Sequence, residues 1–278
     1  MNHPAITEGR VALITGGASG IGLAVAQKLR ALGMRIAIAD RDEDALSEAA
    51  EIMNGEVLTV PTDVSVLAEV EALRDRVIDE YGEIGFLMNN AGRGFGGGAF
   101  SKLDGWQQVL GVNLWGVIHG LQIFTQLMID QGTPCAIVNT GSKQGITNPP
   151  GDAAYNVSKA GVRSVTESLA HELRNIEGCQ VTAHLLVPGF TYTGLIKRHI
   201  PEKPAGAWDP EQVAEFLLNK MAMEKFYAIC PDNDVSTELD NARILWNTND
   251  IIEERPALSR WHPDYESEFN EFIRQQTS

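Results

Sequence analysis

Val11-Ala-Leu-Ile-Thr-Gly-Gly-Ala-Ser-Gly-Ile-Gly22 decides the fold. A short apolar run ends in a glycine cluster, and a helical period begins at once with Ile21, Val25, Ala26 and Leu29 before Gly33 supplies a stop. The reading is strand, tight turn, helix. Gly16, Gly20 and Gly22 are spaced GxxxGxG, unlike the GxGxxG of the general dinucleotide fingerprint. A diphosphate needs backbone N–H donors at close range, and side chains would block it. The helix that follows points its positive end at that position. A ligand-free tight turn would also use glycines; the place directly after a buried strand favours phosphate.

Working outward, the alternation continues. Strands are expected at Arg35–Ala39, Glu56–Pro61, Ile84–Asn89, Cys135–Thr140 and Gln180–Val187. Helices are expected at Asp42–Met53, Ser65–Tyr81, Asp104–Asp130 and Ala153–Ile176, with Ser65 as N-cap of the second. The strands are continuously apolar, as when helices cover both faces of a parallel sheet. The fold class is α/β, a Rossmann-type doubly wound parallel sheet. After Val187 the pattern is broken by Pro188, Pro201, Pro204, Pro210 and Pro231 and reads as less regular. One last strand is expected at Lys225–Cys230, then helices at Asp234–Glu254 and His262–Gln276. No Ser/Gly linker sets this tail apart, so residues 1–278 read as one domain: a core over 10–190, then a substrate lid and helical C-terminal extension over 191–278.

Asp40 ends the second strand, 18 residues past Gly22. A carboxylate there accepts ribose hydroxyls and repels a 2′-phosphate, which favours NAD. Arg41 is the counterweight, since an arginine can bind that phosphate, and NADP is the less favoured cofactor. Helix capping is the plain alternative for Asp40, and Asp42 is an equal candidate for that role. Asp63 and Val64, after the third strand, are placed to meet the adenine.

These residues resemble the short-chain dehydrogenase/reductase family over roughly 10–193. Thr15–Gly22 is similar to its cofactor turn, Asn89-Asn90-Ala91-Gly92 to its NNAG motif, and Asn113 to its helix asparagine. Ser142 is similar to its active-site serine, Tyr155-Asn-Val-Ser-Lys159 to its YxxxK pair, and Pro188-Gly189 with Thr193 to the turn beside the nicotinamide. Ser142 precedes Tyr155 by 13 residues, the family spacing. Two departures stand out. Asn-Thr-Gly precedes the serine where a second serine is common, and Lys143-Gln144 follows it where small or apolar residues are common. The tail also lacks the short Gly-rich ending of many members.

The resemblance implies a catalytic set of Asn113, Ser142, Tyr155 and Lys159. Cofactor contacts are expected at Gly16, Ser19, Gly20, Ile21, Asp40, Arg41, Asp63, Val64, Asn90, Ala91, Gly92, Tyr155, Lys159, Pro188 and Gly189. Substrate contacts are expected at Ser142, Gln144, Tyr155 and Phe190. Tyr155 and Lys159 lie at i and i+4 on one helical face. An ammonium there is expected to lower the phenol pKa from its ordinary ~10. Tyr155 then acts as acid or base, Ser142 binds the substrate oxygen, Lys159 also holds the nicotinamide ribose, and Asn113 holds a relay water. Phe95, Phe190, Tyr192, Leu195, Ile196 and Trp208 suggest a bulky apolar substrate under a 190–208 lid, with loop anchoring equally open. Lys143 reads as a surface or interface lysine ahead of a carboxylate anchor. Trp246, Trp261, Phe269 and Phe272 are expected to dock onto the body or a partner subunit.

The expected activity is hydride transfer between NAD(H) and a small-molecule alcohol or ketone. A redox-sensing NAD-binding regulator and an epimerase or dehydratase with bound NAD remain as alternatives. Composition narrows the partners. There are 22 Lys and Arg against 37 Asp and Glu, a formal charge of −15, which disfavours nucleic acid and an anionic membrane surface. No uninterrupted apolar run approaches the ~20 residues of a membrane span. Three scattered cysteines and six histidines show neither disulfide nor metal spacing. A cytoplasmic location is expected by default, and the long helices suggest a homodimer or homotetramer.

Overall fold

Apolar residues at alternate positions of each strand face opposite ways, and this divides the core. In the computed structural model, which describes residues 2–197 and 200–277, Ala12 and Ile14 face one hydrophobic cluster and Val11 and Leu13 the other. The first elements are β1 (Val11–Thr15), α1 (Gly20–Ala31), β2 (Arg35–Asp40), α2 (Glu43–Ile52), β3 (Leu58–Pro61), α3 (Leu67–Tyr81) and β4 (Phe86–Asn89). Next come α4 (Leu103–Leu110), a π-helical turn (Gly111–Trp115), α5 (Gly116–Asp130), β5 (Cys135–Thr140), α6 (Gln144–Thr147), α7 (Ala153–Arg174) and β6 (Val181–Val187). The chain closes with α8 (Gly194–Lys197), α9 (Pro210–Ala222), β7 (Tyr227–Ile229), α10 (Thr237–Ile252), two 3₁₀ turns and α11 (Glu266–Thr277).

All seven strands are parallel, in the order β3-β2-β1-β4-β5-β6-β7. The chain order reverses between β1 and β4, so the strand ends there open a crevice. Side chains of α1, α2 and α9 fill the cluster on one face, and those of α3, α5 and α7 fill the other. The doubly wound sheet and the helical extension are as expected.

Several details differ from the expectation. The helix expected from Ser65 starts at Leu67, because the Ser65 N–H and hydroxyl both donate to Asp63 Oδ1, at 2.9 and 2.6 Å. The stretch 103–130 is helical, but a π turn interrupts it around Asn113. By length and composition this run could cross a membrane. Here Val117, Leu121, Phe124 and Met128 pack into the core under the sheet. The region after Val187 is more regular than its prolines suggest. Pro210 is the first residue of α9, where its missing N–H costs nothing, and Gln212 accepts the Asp209 N–H at 2.9 Å.

Trp246 packs within the extension rather than onto the body of the fold. Trp246 is buried between Phe269 and Phe272, at ring separations of 5.3 and 5.2 Å. Its indole N–H donates to Ser259 Oγ at 2.8 Å, and the Arg255 guanidinium lies 3.8 Å over the ring. The extension thus has its own small core. Trp261 stays partly exposed, with Arg260 4.7 Å over it. The side chain of Leu195, and residues 198 and 199 of the expected lid, lie outside the described residues.

Candidate active site

The crevice at the strand ends is a cleft of about 920 Å³. It is lined by Gly16, Ser19, Gly20, Ile21, Asp40, Arg41, Asp63, Val64, Asn90, Ala91 and Gly92 at one end. Ser142, Gln144, Tyr155, Lys159, Pro188, Gly189 and Phe190 line the other. Of the residues expected to hold cofactor, substrate or proton, Asn113 lies just behind the lining; Phe95 and Ile196 line the cleft too, whereas Tyr192 does not and Trp208 packs against Phe216 and the core instead.

The glycine turn is tight because its neighbours leave no room. Gly16 has φ +62°, and a Cβ there would stand 2.7 Å from Ala91 Cα. A Cβ on Gly22 would overlap the Gly16 carbonyl oxygen and stand 2.7 Å from Asn90 Nδ2. Asn90 stitches the turn to the sheet. Its Nδ2 donates to Thr15 O and Gly16 O at 3.2 and 3.1 Å, and its Oδ1 accepts from Thr140 Oγ1 at 3.2 Å. The first turn of α1 carries no acidic residue, and Ser19 makes no side-chain cap. Its N–H donors therefore face the cleft unfilled by the chain's own carboxylates. Gly22→Ala is expected to open this turn, costing about 1–3 kcal/mol of stability in urea denaturation. The same variant should bind NADH at least about tenfold more weakly in a fluorescence titration.

Capping separates Asp40 from Asp42. Asp42 is the N-cap of α2 and accepts the Ala45 N–H at 3.1 Å. The Asp40 side chain, at the end of β2, accepts among the described residues only the Asp42 N–H, at 3.2 Å, and lines the cleft. Asp63 and Val64 also line it. One oxygen of Asp63 is held by Ser65.

At the other end, α7 carries Tyr155 and Lys159. Lys159 is buried, and its ammonium donates to Thr140 O at 2.8 Å, 5.7 Å from the Tyr155 ring centre. Burial lowers its pKa to about 8. The Tyr155 phenol moves opposite to the sequence expectation. Burial raises its pKa, with Asp152 adding to the rise and a hydrogen bond with Ser142 opposing it. The lysine points at a carbonyl at the end of β5 rather than at the phenol, so it does not offset the loss of water.

Asn113 is fully buried in the π turn, a deviation that often marks functional positions. Its amide accepts from Arg93 N at 2.8 Å and donates to Arg93 O and Ser158 Oγ at 2.8 and 3.0 Å. This ties the chain after Gly92 to α7. The neighbouring Asn89 Nδ2 donates to Asn139 Oδ1 at 2.8 Å and bridges β4 to β5.

Asp152 was not singled out from sequence. It caps α7 through Tyr155 N at 3.3 Å and accepts from Phe95 N and Gly97 N at 2.7 and 3.0 Å. An aspartate directly before the helix of the YxxxK pair was the available signal. Lys143 is not free to anchor a carboxylate. Its ammonium contacts Asp232 at 3.4 Å and Asp240 at 2.6 Å.

Known proteins resemble this chain in sequence and in fold. The short chain dehydrogenase family model matches residues 10–204. The short-chain dehydrogenase/reductase aba4 of Botryotinia fuckeliana is 34% identical over 197 residues, covering 68% of this chain and 74% of that protein. A short-chain dehydrogenase/reductase from Burkholderia phymatum, solved with NAD, is 35% identical with a TM-score of 0.81, covering 90% of this chain and 96% of that one. Pseudomonas aeruginosa RhlG, solved with NADP, is 28% identical with a TM-score of 0.73, covering 83% and 98%. The glycine cradle, the ribose-side carboxylate and the Tyr155/Lys159 wall fit a nicotinamide dinucleotide. With that fit and a match over most of its length, the chain belongs to the short-chain dehydrogenase/reductase family of oxidoreductases.

Proposed function

We propose that this protein transfers a hydride between NAD(H) and a small alcohol or ketone. The carrying observation is that Ser142, Tyr155 and Lys159 meet at one end of the cleft whose other end is the glycine turn and Asp40. The bound nicotinamide supplies the hydride; the chain supplies position and protons. In the reductive direction, Tyr155 donates its phenolic proton to the oxygen that becomes an alkoxide. Burial raises the pKa of this phenol, but the alkoxide is a far stronger base than a phenolate, so the transfer still runs downhill. Ser142 donates a second hydrogen bond to the same oxygen as charge develops. With the cofactor bound, Lys159 would hold the nicotinamide ribose and return a proton towards Tyr155. Asn113 fixes the Gly92–Arg93 segment beside Lys159, and one Oδ1 lone pair remains for a relay water. Gln144 and Phe190 form the substrate wall.

NAD is the proposed partner because Asp40 is left free by Asp42 to accept ribose hydroxyls. Asp40→Ala should remove a charge-assisted acceptor from NAD and a repulsion from NADP. Titration of tryptophan emission with NADH and NADPH should show their affinity ratio falling at least about tenfold. Unchanged selectivity would remove Asp40 as the ribose anchor.

Turnover tests the reading directly. Ethyl acetoacetate, cyclohexanone and acetophenone are neutral ketones of three shapes. NADH oxidation with at least one of them, and not with Tyr155→Phe, is the expected result. Turnover that survives Tyr155→Phe would sink the assignment.

A further inference from the structure

We propose that Lys143 is a positioning residue that couples the C-terminal extension to the reacting end of the cleft. The idea rests on the reading above for what it positions, but not for whether the coupling exists.

Lys143 follows Ser142 directly, so any force on its side chain acts on the serine's turn. Its ammonium lies between two carboxylates from later parts of the chain. Asp232 comes from the loop after β7, and Asp240 from the first turn of α10. All three side chains are largely shielded, with 19%, 6% and 6% exposure. Solvent therefore screens these charges far less than those of a surface pair.

The same groups reach the turn beside Ser142 from the other side. Asp232 Oδ2 accepts the Phe190 N–H at 3.2 Å, and Lys143 N donates to Pro188 O at 3.5 Å. Between them Gly189 has no side chain. A Cβ there would stand 2.9 Å from Asp232 Oδ2 and 3.0 Å from Lys143 Nζ. The glycine is what lets the turn and the ion pair occupy adjacent space. Two turns along α10 from Asp240, Asn247 Nδ2 donates to Ile146 O at 3.3 Å, on the short helix that follows Ser142. One ammonium thus gathers the serine turn, the 188–190 turn and the extension.

The contact with Asp240 is a short charge pair, 2.6 Å from ammonium to Oδ2. Coulomb attraction tolerates small sliding of α10, while its loss leaves two shielded carboxylates facing each other. Without the clamp, the serine turn and the 188–190 turn are held by their backbone bonds and Asn247. The extension braces the reacting end of the cleft from behind its lining.

The test uses the full chain with Asp240→Asn, Lys143→Met and Lys143→Arg. Asp240→Asn leaves Lys143 paired with Asp232 and keeps the side chain's shape, so it decides the matter if Lys143→Met fails to fold. Hydrogen exchange is read at 141–147 and 188–193, with 16–32 as the internal control. The proposal expects exchange to rise about tenfold in the first two segments and not in the third, with NADH affinity within about twofold of the parent. With ethyl acetoacetate as probe, kcat should fall about tenfold with KM little changed, and Lys143→Arg should recover most of it. Unchanged exchange in both segments, or loosening that extends equally to 16–32, would overturn the coupling. If the parent itself turns over no probe ketone, the functional reading fails, while the exchange and NADH measurements still decide the role of Lys143.

Discussion

Tyr155→Phe is expected to lower turnover by on the order of 10²–10⁴ while leaving NADH affinity within about twofold. The substitution removes one hydroxyl and keeps the ring that fills the cleft wall. The lost group is the only phenol lining the cleft among the described residues, and Ser142 lines the same end. Ser142 alone can stabilise an alkoxide but cannot release a proton near neutral pH. Burial raises the pKa of the phenol, with Ser142 opposing the rise and Asp152 adding to it. Stopped-flow reduction of a probe ketone separates the chemical step from cofactor release. A variant that keeps its chemical step would assign the proton to another group.

Lys159→Met is expected to cut turnover by a similar order and at the same time to stabilise the cofactor-free protein. The two effects have one origin, an ammonium placed where water is scarce. Its pKa is lowered from 10.5 to about 8 by burial. The folded state therefore binds fewer protons than the unfolded one between about pH 8 and 10.5. Stability rises with pH across that window, and the penalty is fully present below it. Its size is at most about 3 kcal/mol at neutral pH. Loss of the bond to Thr140 O returns about 1 kcal/mol, leaving a net gain near 2 kcal/mol. Urea denaturation should show the variant ahead at pH 7 and the gap closing towards pH 10.5. A less stable variant at pH 7 would mean that Thr140 and the surrounding dipoles support the charge more than burial opposes it.

The readable parts of this protein are those in which local chemistry and global position coincide. Residues 11–22 carry the strand, the turn and the helix in one contiguous stretch, so glycine spacing and apolar period suffice. Tyr155 and Lys159 share a face because of helical geometry alone. The direction of the phenol's pKa was not readable. Spacing says that the lysine is near; that its ammonium turns to Thr140 O depends on β5, far away in sequence. The π turn was hidden because Val112, Leu114 and Val117 keep an unbroken apolar pattern through it.

The remaining misses have physical reasons too. Helix α9 announced itself through Asp209-Pro210-Glu-Gln212, but proline density in the region pointed the other way. Asp152 and Asp240 look like ordinary capping or surface carboxylates in isolation. Their partners, Gly97 and Lys143, lie 55 and 97 residues away. That Trp246 is buried was legible, but which surface it buries against is decided by the return of α11 onto α10.

Deuteride transfer tests the central claim most directly. The protein would be incubated with 4-deuterated NADH, each diastereomer in turn, and a probe ketone, and the alcohol analysed by mass spectrometry and NMR. The account predicts deuterium on the carbinol carbon from one diastereomer only, and none with Tyr155→Phe. NADH that binds in the cleft but delivers no deuterium to any ketone carbon would contradict it.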